Sequence, residues 1–174
     1  MLSENPVILT LKINDDAAAY FTELRKKHFP AERNYLDAHL TLFHHLPPNE
    51  PAILEVVKTV SLRQNPMVLQ VMQVVSIGAG VAFKLQSEAL LIMHKNLQQQ
   101  WQEWLTPQDQ QTLWPHITVQ NKVDRQKAVG LQQELSKDFK PFEIQGLGLT
   151  IWEYLGGPWQ KIETLNFDDQ VLNQ

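Results

Sequence analysis

"AHLTLFHHLP", residues 38–47, alternates apolar and polar positions and then stops on two prolines. Strand side chains two apart point the same way, so His39 and Thr41 share one face and Leu40 and Leu42 take the other. "WPHITVQNKV", residues 114–123, repeats the spacing: His116 and Thr118 oppose Ile117 and Val119. Six histidines and nine threonines in 174 residues give about 0.3 His-x-Thr pairs by chance, so one pair means little. Two pairs in strand context at a regular offset mean much more.

Working outward, the surrounding elements repeat as well. Residues 6–13 read as a strand, followed by a helix capped at Asp15 or Asp16 with Ala17, Tyr20, Phe21 and Leu24 on one face. After the first His-x-Thr strand come a helix near Asn49 burying Ile53, Val56, Val57 and Val60, and a long strand over 67–78. The series then restarts with strand 80–86, a helix from Ser87 carrying Leu90, His94, Leu97, Trp101 and Trp104, and the second His-x-Thr strand. A helix with Ala128, Leu131 and Leu135, a strand over 142–155, a "GGP" turn and a strand over 159–167 complete it. Val7 to Val81 is 74 residues and His39 to His116 is 77; similarity at a fixed period speaks to architecture directly. The expectation is a single α+β domain, 1–174, of two pseudo-twofold lobes of mainly antiparallel sheet, about 1–78 and 79–174, joined at "SIGAGV". Helices lie outside, and a central cleft lies between the lobes.

Bulk composition narrows the chemistry. There is no cysteine, which excludes disulfides, thiolate metal sites and thiol nucleophiles and fits a reducing compartment. The opening "MLSENPVILTLKI" lacks the pattern of a secretory signal, and no apolar run is long enough to span a membrane. A cytoplasmic protein, monomeric, is expected. A formal charge of -4 provides no broad positive field for duplex DNA, although a local pocket can still hold one phosphate. The glutamine-dense "NLQQQWQEWLTPQDQQT" keeps helical spacing up to Leu105 and reads as a solvated helix face followed by a loop.

If the two motif strands face each other, two imidazoles and two hydroxyls meet in one cleft. Imidazole titrates near neutrality, so one ring can accept a proton while the other, kept cationic by its surroundings, donates one. Threonine hydroxyls can donate to non-bridging phosphate oxygens. An in-line displacement at phosphorus needs base and acid on opposite sides, and needs no metal.

The paired "HLTL" and "HITV", the two-part repeat, Pro115 before the second motif and the "EYLGGPW" hairpin resemble the 2H phosphoesterase superfamily, the 2′-5′ RNA ligase-like or cyclic phosphodiesterase family. The resemblance implies a bilobal α+β fold and an enzyme that hydrolyses or forms 2′,3′-cyclic or 2′-5′ phosphodiester linkages without a cofactor. It also implies that His39 and His116 do the acid-base work and that Thr41 and Thr118 bind the phosphate. Val119 stands where many members have leucine, on the core face. The partner implied is a small nucleotide or an RNA terminus with a cyclic phosphate.

Other residues are read individually. In "LGLTIWEYL", Leu147, Leu149 and Ile151 take one parity and Thr150, Trp152 and Tyr154 the other, the expected cleft face. Trp152 or Tyr154 either stacks on a nucleobase or supports the sheet as an aromatic ladder. Lys84 either neutralises phosphate or is simply solvated, and Arg33, Lys122 and Arg125 are candidates for guiding an anion inward. His94 reads as a core histidine and His28 as a helix-end cation. His44 and His45 with His39 invite a zinc reading, but no Asp or Glu stands at ligand spacing.

Overall fold

The computed structural model describes residues 2–169. These form seven strands, β1 (Val7–Ile13), β2 (Leu40–Leu46), β3 (Met67–Ser76), β4 (Val81–Gln86), β5 (His116–Gln120), β6 (Phe142–Tyr154) and β7 (Trp159–Asn166). Four α-helices accompany them: α1 (Asp15–His28), α2 (Pro51–Arg63), α3 (Glu88–Gln100) and α4 (Arg125–Lys137). The fold is α+β, as expected, with every strand pairing antiparallel.

Helix starts follow local chemistry. Ser87 Oγ accepts from Leu90 N at 3.2 Å and Asp124 Oδ1 from Lys127 N at 2.9 Å, each satisfying an amide that has no partner within its helix. The cap of α1 is Asn14, not Asp15 or Asp16, which sit in its first turn and complement the dipole. The Asn14 side chain is engaged elsewhere, accepting from Gln145 N at 2.8 Å.

The strands form one sheet in the order β2-β1-β6-β3-β4-β5, with β7 on β6. Matched against the sequence repeat (β1, β2, β3 with β4, β5, β6), that order is a palindrome. β1 pairs with β2 as β4 pairs with β5, and the third strand of each repeat is exchanged: β3 lies against β4 and β6 against β1. β3 and β6 meet at the centre, where Gly146 opposes both Ile13 and Met67. A Cβ on Gly146 would stand 2.9 Å from Met67 Cγ and 3.1 Å from Leu11 Cδ2, so glycine is what lets β6 pass from one partner to the other.

Beside that crossing the strand reading needs one correction. The register of β6 on β1 slips between Gly146 and Gly148, so Leu147 bulges out half-buried while Ile144, Leu149 and Ile151 face the core. Simple alternation had grouped Leu147 with the last two, and two glycines within three residues are what break it.

The helices are crossed too. α1, from the first repeat, packs on β5, and its Phe21 meets Phe83 of β4 edge-on at 5.1 Å. In α3, from the second repeat, His94 stacks on Phe43 of β2 at 4.5 Å. β2 and β5, the outermost strands on the path, come into contact with each other, so the sheet curls until its two edges meet. No helix among the described residues is long and apolar enough to cross a membrane.

Candidate active site

Leu40, Leu42, Ile117 and Val119 are all buried to within a few per cent, and this fixes which faces of β2 and β5 are left for their polar residues. His39 immediately precedes β2 and His116 opens β5. The rings are held identically. His39 Nδ1 lies 2.8 Å from Asp37 O and His116 Nδ1 lies 2.7 Å from Trp114 O, in each case the carbonyl two residues earlier. A carbonyl can only accept, so each Nδ1 carries the proton and each Nε2 presents its lone pair. An indole flanks each ring: Trp159 sits 4.6 Å from His39 and Trp114 stacks on His116 at 4.4 Å.

The two rings are close enough for charge on one to act on the other. Burial pushes His39 down to about 4, with the charges of Arg25, His116 and His44 adding to the effect against the opposing bond to Asp37. His116 is lowered as well, by burial and then by His44, against the bond to Trp114. Neither ring is held cationic by the protein alone, which differs from the sequence-based expectation. The reason is that burial withdraws both imidazoles from solvent, Arg25 adds its charge at His39, and among the described residues no carboxylate pairs with either ring.

Thr41 is flanked by a row of hydroxyls. In register, Thr41 of β2 opposes Thr10 of β1, Thr10 opposes Thr150 of β6, and Thr150 opposes Thr164 of β7. Thr150 and Thr164 share a hydrogen bond at 3.1 Å, and Trp152 Nε1 donates to Thr10 Oγ1 at 2.9 Å. Thr118 opposes Ala82 and has no such row. Lys84 opposes His116 directly, on the same face and exposed.

Arg25 is 5 % exposed. Its Nε donates to Asn34 Oδ1 at 2.8 Å and its Nη1 to Thr118 O at 3.2 Å, so α1 ties down the second motif strand. Burial lowers it to about 10, opposed by Asp37, and it stays cationic at neutral pH. α3 provides the reciprocal tie. Buried His94 places Nε2 2.9 Å from Leu42 O of the first motif strand, which agrees with its reading as a core histidine. His28 closes α1 among the cationic residues of its last turn.

A hollow of about 420 Å³ opens beside His39, walled by Trp152, Trp159 and Tyr35 with Asn34, Asp37 and Lys26. A second, of about 150 Å³, opens beside His116 and includes His44, Trp114 and Thr112. Of the two aromatic candidates on β6, Trp152 reaches the larger hollow and Tyr154 does not, being paired in register with Trp159 near the strand end. Arg33, Lys122 and Arg125 line neither hollow.

Several residues here were missed by sequence reasoning. Trp114 shares its strand parity with His116 and could have been found that way; Trp159 depends on the β6–β7 hairpin register. Arg25 and Asp109 arrive from distant segments, and no local pattern marks them. Asp109 supplies the carboxylate beside His44 that spacing could not reveal, with Oδ1 3.2 Å from His44 Nδ1. Among the described residues, no three His, Cys, Asp or Glu side chains cluster as a metal ion would require.

A model of the 2′-5′ RNA ligase superfamily matches residues 13–158, a span containing both His-x-Thr strands. No curated protein matches the sequence. Among solved structures, the chain is similar to TT0787 of Thermus thermophilus, at 17% identity and a TM-score of 0.65 over 93% of this chain and 97% of that one. It is also similar to a protein solved as a phosphoesterase (14% identity, TM-score 0.60, 95% and 99% covered). LigT of E. coli, in its complex with NADP+, aligns at 16% identity and a TM-score of 0.61 over 95% and 99%. At these identities the likeness concerns the fold.

Proposed function

Because this chain belongs to the 2′-5′ RNA ligase superfamily, the 2H phosphoesterases, we propose that it is a metal-independent phosphodiesterase acting on 2′,3′-cyclic phosphates of nucleotides or RNA ends. The observation that carries the reading is the matched pair of imidazoles. Each is held at Nδ1 by the carbonyl two residues before it, and each keeps Nε2 free on strands brought edge to edge.

In this reading His39 is the base. Burial and the Arg25 charge keep it unprotonated, so its Nε2 can take a proton from water as the oxygen attacks phosphorus. The bond from phosphorus to one ribose oxygen breaks on the opposite side, and His116 gives that oxygen its proton. Thr41 and Thr118 donate to the non-bridging oxygens, where charge accumulates. His116 is depressed in the free protein; the anionic substrate supplies the charge that raises it, so substrate entry arms the acid. The larger hollow takes the nucleoside against Trp152 and Trp159, and Lys84 adds a cation beside His116. The same groups run the reaction backward, joining ends through a 2′-5′ linkage.

That both rings are neutral when free also favours a second reading, a protein that binds nucleotide or RNA termini without turnover. A panel of 2′,3′-cyclic mononucleotides incubated with chelator distinguishes the two. Turnover that survives chelation and falls by roughly 10² to 10⁴ in His39→Ala and His116→Ala supports the enzyme. Ligand bound tightly and recovered intact supports the binder, and full turnover by His39→Ala overturns the acid-base assignment.

A further inference from the structure

The hollow beside His39 carries polar groups that the acid-base chemistry does not use. One side of it is aromatic: Trp152 and Trp159 stand with ring centroids 5.9 Å apart and planes inclined by 59°, forming a corner. The other side is the segment 34–38, and two of its side chains differ in what they offer a ligand. Arg25 Nε can only donate, so the Asn34 atom 2.8 Å from it is the accepting Oδ1. Arg25 is buried and its Nη1 is tied to Thr118 O, which holds that bond in place. What remains to the Asn34 amide is its NH₂, a donor.

Asp37 offers the opposite. It is exposed, lines the same hollow, and makes no ion pair or side-chain hydrogen bond among the described residues. Its backbone oxygen serves His39, and its charge acts on Arg25, so the carboxylate and the Asn34 amide lie around one guanidinium. A carboxylate with no cation bound to it repels a phosphate, and Lys26 at the same hollow is already paired with Glu23 at 3.3 Å. The hollow is therefore matched to a neutral planar group bearing N–H donors. A carboxylate accepts at two oxygens. Adenine and cytosine bring it one amino nitrogen, and uracil one ring N–H. Guanine alone carries two adjacent donors, N1–H and the 2-amino group, with O6 beside them to accept from the Asn34 NH₂.

We propose that Asp37 and Asn34 form a guanine-reading subsite, the carboxylate accepting from N1–H and the 2-amino group and the Asn34 amide donating to O6, with the base against the Trp152 and Trp159 corner. This rests on the phosphodiesterase reading for bringing a nucleotide to the hollow. It narrows the substrate class to guanosine 2′,3′-cyclic phosphate and RNA ends that terminate in guanosine. Arg25 is then a positioning residue for both halves of the site, holding the second motif strand at Thr118 O and the Asn34 amide at Oδ1.

Calorimetric titration with the 3′-monophosphates of guanosine, inosine, adenosine, cytidine and uridine tests this without requiring turnover. The unaltered protein should bind the guanosine nucleotide at least about tenfold more tightly than the other four, the worth of one charge-assisted hydrogen bond. Inosine keeps O6 and N1–H and lacks only the 2-amino group, so Asp37→Asn should collapse the gap between the guanosine and inosine nucleotides. Asn34→Asp keeps the oxygen bonded to Arg25 and removes the donor, so it should weaken both of these nucleotides by about tenfold and spare the adenosine one. Equal binding of all five by the unaltered protein overturns the guanine subsite. So does a loss in Asp37→Asn shared equally by all five, as a carboxylate bonded to ribose hydroxyls would give. Either result leaves nucleotide binding standing, whereas binding of none of the five overturns the nucleotide reading and the subsite with it.

Discussion

Replacing Asp109 by asparagine should destabilise the fold through the strand that carries His39 and Thr41. The carboxylate is 1% exposed and accepts from His44 N at 2.9 Å, His45 N at 2.9 Å and the His44 ring at 3.2 Å. Asparagine keeps one accepting oxygen and puts an NH₂ where the other was. One buried strand amide then faces a donor, at about 1–3 kcal/mol, and the remaining bond loses its charge assistance, about 1 kcal/mol more. The sum, about 2–4 kcal/mol, corresponds to a fall in Tm of roughly 5–15 °C for a chain of this length. Urea titration followed by tryptophan fluorescence measures it. Burial raises the Asp109 pKa, but the bonds from the His44 ring and the two amides outweigh it and hold the carboxyl below its ordinary value. A depressed folded pKa contributes stability that is complete above the unfolded carboxylate pKa and lost as pH falls through the folded one. The gap between parent and variant should therefore be full at pH 7 and shrink steadily below about pH 4. A gap under about 0.5 kcal/mol at pH 7, within the range of ordinary surface substitutions, or one unchanged at pH 3, refutes the argument.

Three other outcomes follow from the geometry. The pH profile of kcat should lie to the alkaline side of that of kcat/KM, because the free-enzyme rings are depressed and bound substrate charge raises them; coincident profiles would show that substrate does not arm the acid. Trp159→Ala, which removes the indole 4.6 Å from His39, should weaken nucleotide binding by about 5- to 150-fold, the equivalent of about 1–3 kcal/mol of stacking, as read by titration with a nucleoside monophosphate. Gly146→Ala forces a Cβ to 2.9 Å from Met67 Cγ and should cost about 1–3 kcal/mol in chemical denaturation, through overpacking.

Much of this architecture was readable from local pattern. Strand and helix periods, the two stopping prolines and the repeated His-x-Thr spacing are short-range signals, and the structure has each predicted element near its place, except that α3 stops at Gln100 and Trp104 lies in a separate 3-10 turn, Gln102–Trp104. The elements that resisted reading are those set by partners far along the chain. The cap of α1 moved to Asn14, whose side chain is spoken for by Gln145. Leu147 left its expected face because flanking glycines admit a bulge. In the candidate site, same-face placement of His39 with Thr41 and of His116 with Thr118 followed from strand parity alone. Arg25 and Asp109 reach the site from α1 and from the loop after α3, and only tertiary packing brings them there. The protonation of the rings could not be read either, since it depends on burial and on a cation 14 residues away along the chain.

The exchange of β3 and β6 has a further bearing on how the molecule holds together. Both neighbours of β3 belong to the opposite repeat, and β6 rests on the first repeat along both stretches of its length. Neither half, if severed at the hairpin between β3 and β4, retains a home for its own last strand; each would carry a bare edge whose complement is in the other piece. The polypeptide can thus be nicked without being divided. Melting should be a single event, and the contact of β2 with β5 serves as a reporter of whether the entire sheet has closed.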